Sequence, residues 1–353
     1  MKEKKQKHKQ AWWEKLLTAF GITFVSFMVL MVALPVGIMI VSPIIAKFYP
    51  GEMDMLNDSP SAWVRSRGWH EKLPQTDDWQ RIVEQPIIWP NLDGSTVMVP
   101  MAVEFARQHL GMDADAAAKH IKFRTTHHAY AALFAPFGEA QDSIPDLVLG
   151  TAPGEEELKI AHKNGVMPVQ KPVCRDAFVF ITGKNNPVES LALEQVRGIF
   201  SGKIKNWKEV GGADEKIQAY QREPGSGSQT GMEQLVMQGL PMADPKIVKI
   251  SWGMGGLVDA VAEYENSAAS IGYSYRYYID NQYSSENIKQ LKIEGVAPTD
   301  ENIRSGAYPL SVNYVGVYRH GEENGHGAKF LEWILSEEGQ ACVEQAGYIK
   351  LSN

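Results

Sequence analysis

The sequence predicts an α/β fold built as two lobes, set behind an apolar N-terminal segment. Three observations predict it. Strand-like and helix-like runs alternate from about Gln85 to the C-terminus, the 353 residues suffice for two cores, and residues 1–46 differ in composition from the rest. Alternation of the two kinds of run favours a sheet covered by helices. A chain of this length suits two domains or lobes, each with its own core. With 44% hydrophobic and 22% charged residues, the composition is that of an ordinary globular protein.

The elements follow in chain order. Residues 1–15 carry six lysines and two glutamates, a balance of +4, so that the net charge of −7 leaves −11 on the remainder. An acidic body argues against a nucleic-acid partner, whose phosphates require a basic face. A small anion responds to local dipoles and is not excluded. Leu16 to Ala46 is a run of 31 residues without a charged side chain. A bilayer span needs roughly 20, and the core of a secretory signal only ~7–15. The expectation is one transmembrane helix or signal anchor over 16–46, kinked or ended at Pro35 and Pro43. A long cleaved signal is the alternative. The basic flank then leaves 1–15 in the cytoplasm and puts the body outside the cell membrane. Residues 47–84 mix proline, tryptophan and charge without a period and read as an extracytoplasmic stem.

Beyond the stem, PIIWPNLDGSTVMVPMAVEFARQHL predicts a strand, a turn at Asp93–Gly94 and a helix from about Pro100. KHIKF (strand), HAYAALF (helix), PDLVLGT (strand) and EEELKIAHKNG (helix) come next. DAFVFITGKNNP predicts a long apolar strand, and SLALEQVRGIFSG a helix with Leu193, Val196 and Phe200 on one face. KIQAYQRE is a strand that delivers Arg222 to its end. SIGYSYRYYI and YPLSVNYVGVYR read as strands, and GAKFLEWILSEEGQACVEQAG as one closing helical segment. By chain order, 85–175 and 273–353 form the first lobe and 176–272 the second. Cys174 and Cys342 fit no metal-ligand spacing. Outside the cell they are free to form a disulfide, and sequence leaves their pairing open.

The chemistry concentrates at strand-to-helix junctions. In QREPGSGSQTGMEQLVM, Pro224 and Gly225 make a turn, and Gly227 lets the backbone approach a ligand. Ser226, Ser228 or Thr230 supplies an N-cap, and Met232, Leu235 and Val236 line one face of a helix that stops at Gly239. The first N–H groups of such a helix are free and partly positive, which suits an anion. Arg222 adds a planar fork of donors for an oxyanion. A capped helix beside a solvated arginine is the plainer alternative. No lysine follows the glycines, so this is not a nucleotide loop of the Walker type. DGST (Asp93–Thr96) and RTTHHAY, with Thr125, Thr126 and His127, have the same character. Three such junctions imply one polar pocket at the strand C-termini.

Other chemistries fit less well. His127 and His128 are adjacent, so on a helix they point about 100° apart and share a metal poorly. PGSGSQTG lacks the hydrolase elbow, and no oriented base is legible, so no enzyme and no cofactor is expected. Tyr273, Tyr275, Tyr277 and Tyr278 read as core aromatics. Glu155, Glu156 and Glu157 complement a helix dipole.

From about Asn91 onward the chain resembles the phosphate-binding proteins of phosphate ABC transporters. The resemblance rests on NLDGST, RTTHHAY, EEELKIAHKNG, DAFVF, SLALEQVRGIFSGKIKNWKEVGG, QREPGSGSQTGMEQLV, SIGYSYRYY, TDENIRSGAYPLSVNY and GQACVEQAGYI, in that order. It implies a two-lobe type II periplasmic-binding-protein fold with a hinge and a central ligand cleft, which captures phosphate or a similar oxyanion and delivers it to permease subunits. A tethered anion sensor or envelope interaction protein on the same fold is the alternative. Carried over by position, the anion contacts fall on Ser95, Thr96 and the Val97 N–H, on Thr126, on Arg222, and on Ser226, Gly227 and Ser228. Where the family usually has an aspartate to accept the phosphate's proton, this chain has Thr151, and Thr125 replaces the usual glycine of the second loop.

Overall fold

The computed structural model describes residues 79–136, 144–222, 224–243, 257–258, 261–262 and 267–351. The expected tail, membrane segment and most of the stem (1–78) lie outside the described residues. Among those described, no helix is long and apolar enough to cross a membrane.

Strand β1 (Leu92–Gly94) runs through a 3-10 turn (Thr96–Met98) into helix α1 (Val99–Leu110). Pro100 falls in the first helical turn, where its missing N–H costs no hydrogen bond. Asp93 and Gly94 do not form the expected turn. They pair in parallel with Val148 and Leu149 of β2 (Leu147–Gly150). A Cβ on Gly94 would lie 2.0 Å from the Leu149 carbonyl oxygen, so the glycine permits close strand approach. The strand expected in PIIW does not form, and neither does the one in KHIKF. Helix α2 (Ala114–His120) takes up the start of KHIKF, because Asp113 caps it by accepting the Ala116 N–H at 2.7 Å and four alanines favour helix.

Helices α3 (Thr126–Leu133) and α4 (Glu155–Lys163) close over β2 and β9 (Ser311–Arg319). Their shared core includes Ala129, Tyr130, Leu133, Val148, Ala161, Val315 and Val317. Strand β3 (Pro168–Gly183) is the spine of the molecule. Its residues 168–177 run antiparallel to β9, and its residues 178–182 antiparallel to β6 (Ser270–Tyr275). The change of partner between Ala177 and Phe178 is where the two lobes join. The strand order is β1-β2-β9-β3-β6-β5, with β5 (Gln218–Ala219) shorter than KIQAYQRE implied.

In the second lobe, β4 (Ser190–Leu191) leads into α5 (Leu193–Phe200), and α6 (Gly227–Gly231) continues as a π-helical turn over Met232–Met237. Phe178, Phe180, Phe200 and Tyr273 pack ring against ring. The Trp207 indole donates to the Ala269 carbonyl at 2.9 Å. After β6 the chain turns helical over Tyr278–Gln282, where a longer strand was expected. Strands β7 (Ile288–Gln290) and β8 (Lys292–Ile293) then pair with β3 and β4. Residues 288–293, which chain order groups with the first lobe, therefore pair with the second. Beside Ile181–Gly183, β7 takes the edge of β3 that β9 takes further back.

Helix α7 (Asp300–Ser305) precedes β9. The closing helical segment is two helices, α8 (His326–Ile334) and α9 (Glu337–Gln345), because Ser336 starts a new one by accepting the Gly339 N–H. Cys174 and Cys342 are buried free thiols.

Candidate functional site

Ser95 heads the first junction with φ −72° and ψ 144°. Its N–H donates to Leu149 at 2.9 Å, and its side chain makes no capping bond. The next two carbonyls are held from behind. Gln282 Nε2 donates to Thr96 at 3.1 Å, and the Tyr348 hydroxyl donates to Val97 at 2.5 Å. The nearby Asp93 carboxylate accepts from the Gly94 and Arg124 N–H groups and pairs with the Arg124 guanidinium.

At the second junction Thr126 is the first residue of α3, and the Thr125 hydroxyl is engaged with His128 Nδ1 at 2.7 Å. His127 Nδ1 lies 2.8 Å from Glu157 Oε1, and Glu157 Oε2 accepts the Gly154 N–H at 2.9 Å. Glu157 is buried and bonded to His127 and Gly154, whereas Glu155 and Glu156 are exposed, with Glu155 3.8 Å from Lys159. At the end of β2, Thr151 accepts the Tyr130 hydroxyl with its carbonyl at 2.6 Å. Its own hydroxyl is buried with no partner among the described residues.

Arg222 is 7% exposed at the far end of the run from β5. Its N–H donates to the Tyr273 hydroxyl at 3.0 Å, and Nη1 donates to Ser228 Oγ at 3.3 Å. Ser226 has φ −73° and ψ 144° and caps α6 by accepting the Gln229 N–H at 3.2 Å. The Tyr275 hydroxyl donates to the Gly227 carbonyl at 3.1 Å. Tyr273 and Tyr275 are buried as expected, and their hydroxyls carry this second duty.

The lobes meet along this line. A Cβ on Gly227 would lie 3.0 Å from Thr126 Oγ1 and 3.2 Å from Thr151 Oγ1. One on Gly154 would lie 2.9 Å from Thr230 Cγ2, and one on Gly225 3.6 Å from the His127 ring. On the first-lobe side, one on Gly150 would lie 3.3 Å from Ser95 Cβ. Ser95, Thr126, Thr151, Gly227, Ser228 and Arg222 thus form one contiguous line. Thr96 and Val97 stand beside it through their backbone, Val97 being fully buried. The Ser226 hydroxyl is taken up by its own helix. Hydroxyls, helix-start N–H groups and a buried guanidinium converge, while the adjacent carboxylates are already engaged. Such a donor set suits an oxyanion.

The sequence reading places His127 at the second junction and gives Glu157 to the helix dipole, while the supporting contacts of Glu157, Gln282 and Tyr348 escape it. Glu157 had a local signal, since an acid three residues after a helix cap reaches back to the cap N–H. Gln282 and Tyr348 act across 186 and 251 residues, and no local signal marks them.

A family model described as a PBP superfamily domain matches residues 115–338. The phosphate-binding protein PstS of Bacillus subtilis is 29% identical over 204 residues, 57% of this chain and 64% of that protein. That of Borreliella burgdorferi is 28% identical over 183 residues, 49% and 63% of the two chains. The chain thus spans less than two thirds of the length of these relatives. A substrate-binding protein from Clostridium perfringens, solved with bound phosphate, superposes with TM-score 0.57 at 27% identity, over 74% of this chain and 98% of that one. An ABC-type phosphate transport receptor from Vibrio cholerae shares the fold, with TM-score 0.53 at 22% identity over 73% and 98%. On a family match that covers most of the two-lobe sheet, the chain belongs to the PBP superfamily, in which it is similar to the PstS-like phosphate-binding proteins.

Proposed function

We propose that this protein captures phosphate, or a closely similar oxyanion, between its two lobes and hands it to the permease subunits of an ABC transporter. The observation that carries this reading is the buried Arg222 guanidinium against Ser228, one residue from Gly227, which is pressed on Thr126 and Thr151 of the opposite lobe. The Clostridium perfringens relative, solved with phosphate, supports it. In this reading Ser95, Thr96 and the Val97 N–H bind from the first loop, and Thr126 and Thr151 from the second and third junctions. Arg222, Gly227 and Ser228 close from the other lobe, while Ser226 shapes the loop. Thr151 is an uncharged acceptor for a ligand proton. The protein binds and releases its ligand without chemistry and without a cofactor.

The lobes in this reading are 85–175 with the returning chain, and 176–272 with the 288–293 pairings added. Residues 16–46 anchor the protein as one transmembrane helix, with 1–15 cytoplasmic, 47–84 as a stem and the body extracytoplasmic. The uncharged 31-residue run supports the anchor.

Equilibrium dialysis of the full chain against labelled phosphate tests the reading. Saturable binding of one anion per chain is expected, with competition by excess unlabelled phosphate. No saturable uptake of phosphate or sulfate would remove it.

A further inference from the structure

Asp176 lies where β3 changes partner. It stands opposite Val312 of β9, and two residues on, Phe178 pairs with Tyr275 of β6. The residue is 2% exposed. It accepts the Tyr314 hydroxyl of β9 at 2.8 Å and the Tyr277 N–H, just beyond β6, at 3.1 Å. One carboxyl therefore ties together the strands that run between the lobes.

Each partner leads to one face of the cleft. The Tyr277 ring stacks on Tyr348 at 3.7 Å and 9°, and the Tyr348 hydroxyl holds the Val97 carbonyl. The Tyr314 ring packs on Tyr275 at 5.4 Å, and the Tyr275 hydroxyl holds the Gly227 carbonyl. Two aromatic branches from Asp176 thus end on the first-lobe loop and on the second-lobe loop.

We propose that Asp176 is a proton-sensing hinge residue: its neutral form favours the closed lobes and its ionised form favours opening, so that the cleft holds an anion more weakly as pH rises.

Burial pushes the Asp176 carboxyl up to about 7, against hydrogen bonds from Ala177, Tyr314 and Tyr277 and the charge of Arg276. The other groups that face it are Tyr314 on β9, Tyr275 on β6, Tyr277 beyond β6, Tyr348 behind Tyr277, and Cys174 on its own strand. Burial raises all five, so they stay protonated near neutrality. The facing cation, Arg276, is paired with Asp280 and Asp300, and burial also raises Asp280. Because burial retains the proton on Asp176, a hinge that admits more water releases it more readily. By linkage, protonation favours the closed hinge. The sign for stability follows. The folded value lies above the ordinary 3.8, so this stability is full below 3.8 and is lost as pH rises through about 7.

The effect on hinge and stability stands apart from the anion reading, while the effect on affinity rests on it. The full chain, Asp176→Asn and Tyr314→Phe are compared from about pH 4.5 to about pH 8.5. The readouts are thermal melts and small-angle scattering without ligand, and titration with sulfate, which carries no titrating proton in that range. Relative to Asp176→Asn, the parent is expected to lose stability up to about pH 7, to expand with it, and to bind sulfate about tenfold more weakly at the alkaline end. Tyr314→Phe removes a donor to the charged form, so it should keep the dependence and move its midpoint upward. The proposal is overturned if Asp176→Asn keeps the parent's profile. If that variant does not fold, an unmoved midpoint in Tyr314→Phe overturns it. Should neither sulfate nor phosphate bind at any pH, the melts and scattering still decide the hinge, and the failure falls on the anion reading alone.

Discussion

Ser95 and Ser226 open the two faces of the cleft on nearly the same backbone, φ −72° and ψ 144° against φ −73° and ψ 144°, yet their side chains act differently. Ser226 starts an α-helix and accepts the Gln229 N–H three residues on. Ser95 starts a 3-10 turn, in which its own carbonyl accepts the N–H three residues on, from Met98 at 2.9 Å, and its side chain makes no capping bond. The tighter turn leaves the first serine's hydroxyl out of capping, and the α-helix uses the second's. Support differs as well. The first loop is braced from behind by Gln282 and Tyr348, whereas the second carries its own cation, Arg222, beside Tyr273. Residue type and backbone angle at a junction therefore do not settle a side chain's role. The helix that follows does.

The largest expected effect is on the side that holds the cation. Truncating a buried charged partner costs on the order of 2–5 kcal/mol, and each ~1.4 kcal/mol is tenfold in affinity. Arg222→Ala should weaken phosphate binding at least about thirtyfold by calorimetry while still melting cooperatively, and Arg222→Lys should recover only part. Unchanged affinity in folded Arg222→Ala would mean that the guanidinium only packs. Thr151→Asp comes next. A carboxylate there needs a proton on the ligand, so phosphate should gain over sulfate by about tenfold. Unchanged affinity for both anions would place Thr151 outside the site. Gly227→Ala sets a methyl against Thr126 and Thr151, and overpacking of that kind costs about 1–3 kcal/mol. It should act on lobe closure, so the ligand-induced fall in radius of gyration should shrink. A variant that closes as fully as the parent would refute the contact.

The smallest effects separate the two serines directly. Ser95→Ala removes a hydrogen bond to a charged ligand, worth about 1.5 kcal/mol at the low end. It should weaken binding about tenfold with the melting temperature unchanged. Ser226→Ala removes a cap worth about 1 kcal/mol and should lower the melting temperature by about 2–4 °C with affinity kept within about twofold. The reverse pattern would break the comparison.

Elements with strong local signals were legible. The helix of EEELKIAHKNG begins at its acids and runs over Glu155–Lys163, and YPLSVNYVGVYR contains β9. KHIKF misled because the Asp113 cap lies outside that window. DGST misled because Gly94 answers to Leu149 of another strand, which only pairing reveals. Where the lobes meet, the turn at Pro224–Gly225 and the Ser226 cap were legible, since turns and caps are local chemistry. Asp176 was hidden in an apolar run, and its partners Tyr277 and Tyr314 lie 101 and 138 residues away. The tyrosines of SIGYSYRYY declare their burial through the apolar run, but nothing local tells where a hydroxyl will end.

The central claim is that both lobes hold one anion together. A crystal structure of the protein grown with saturating phosphate tests this most directly. The expected result is one phosphate between the lobes, within about 2.7–3.2 Å of Thr126 Oγ1, Ser228 Oγ and the Arg222 guanidinium. A phosphate held by one lobe alone, or a closed cleft without one, would contradict it.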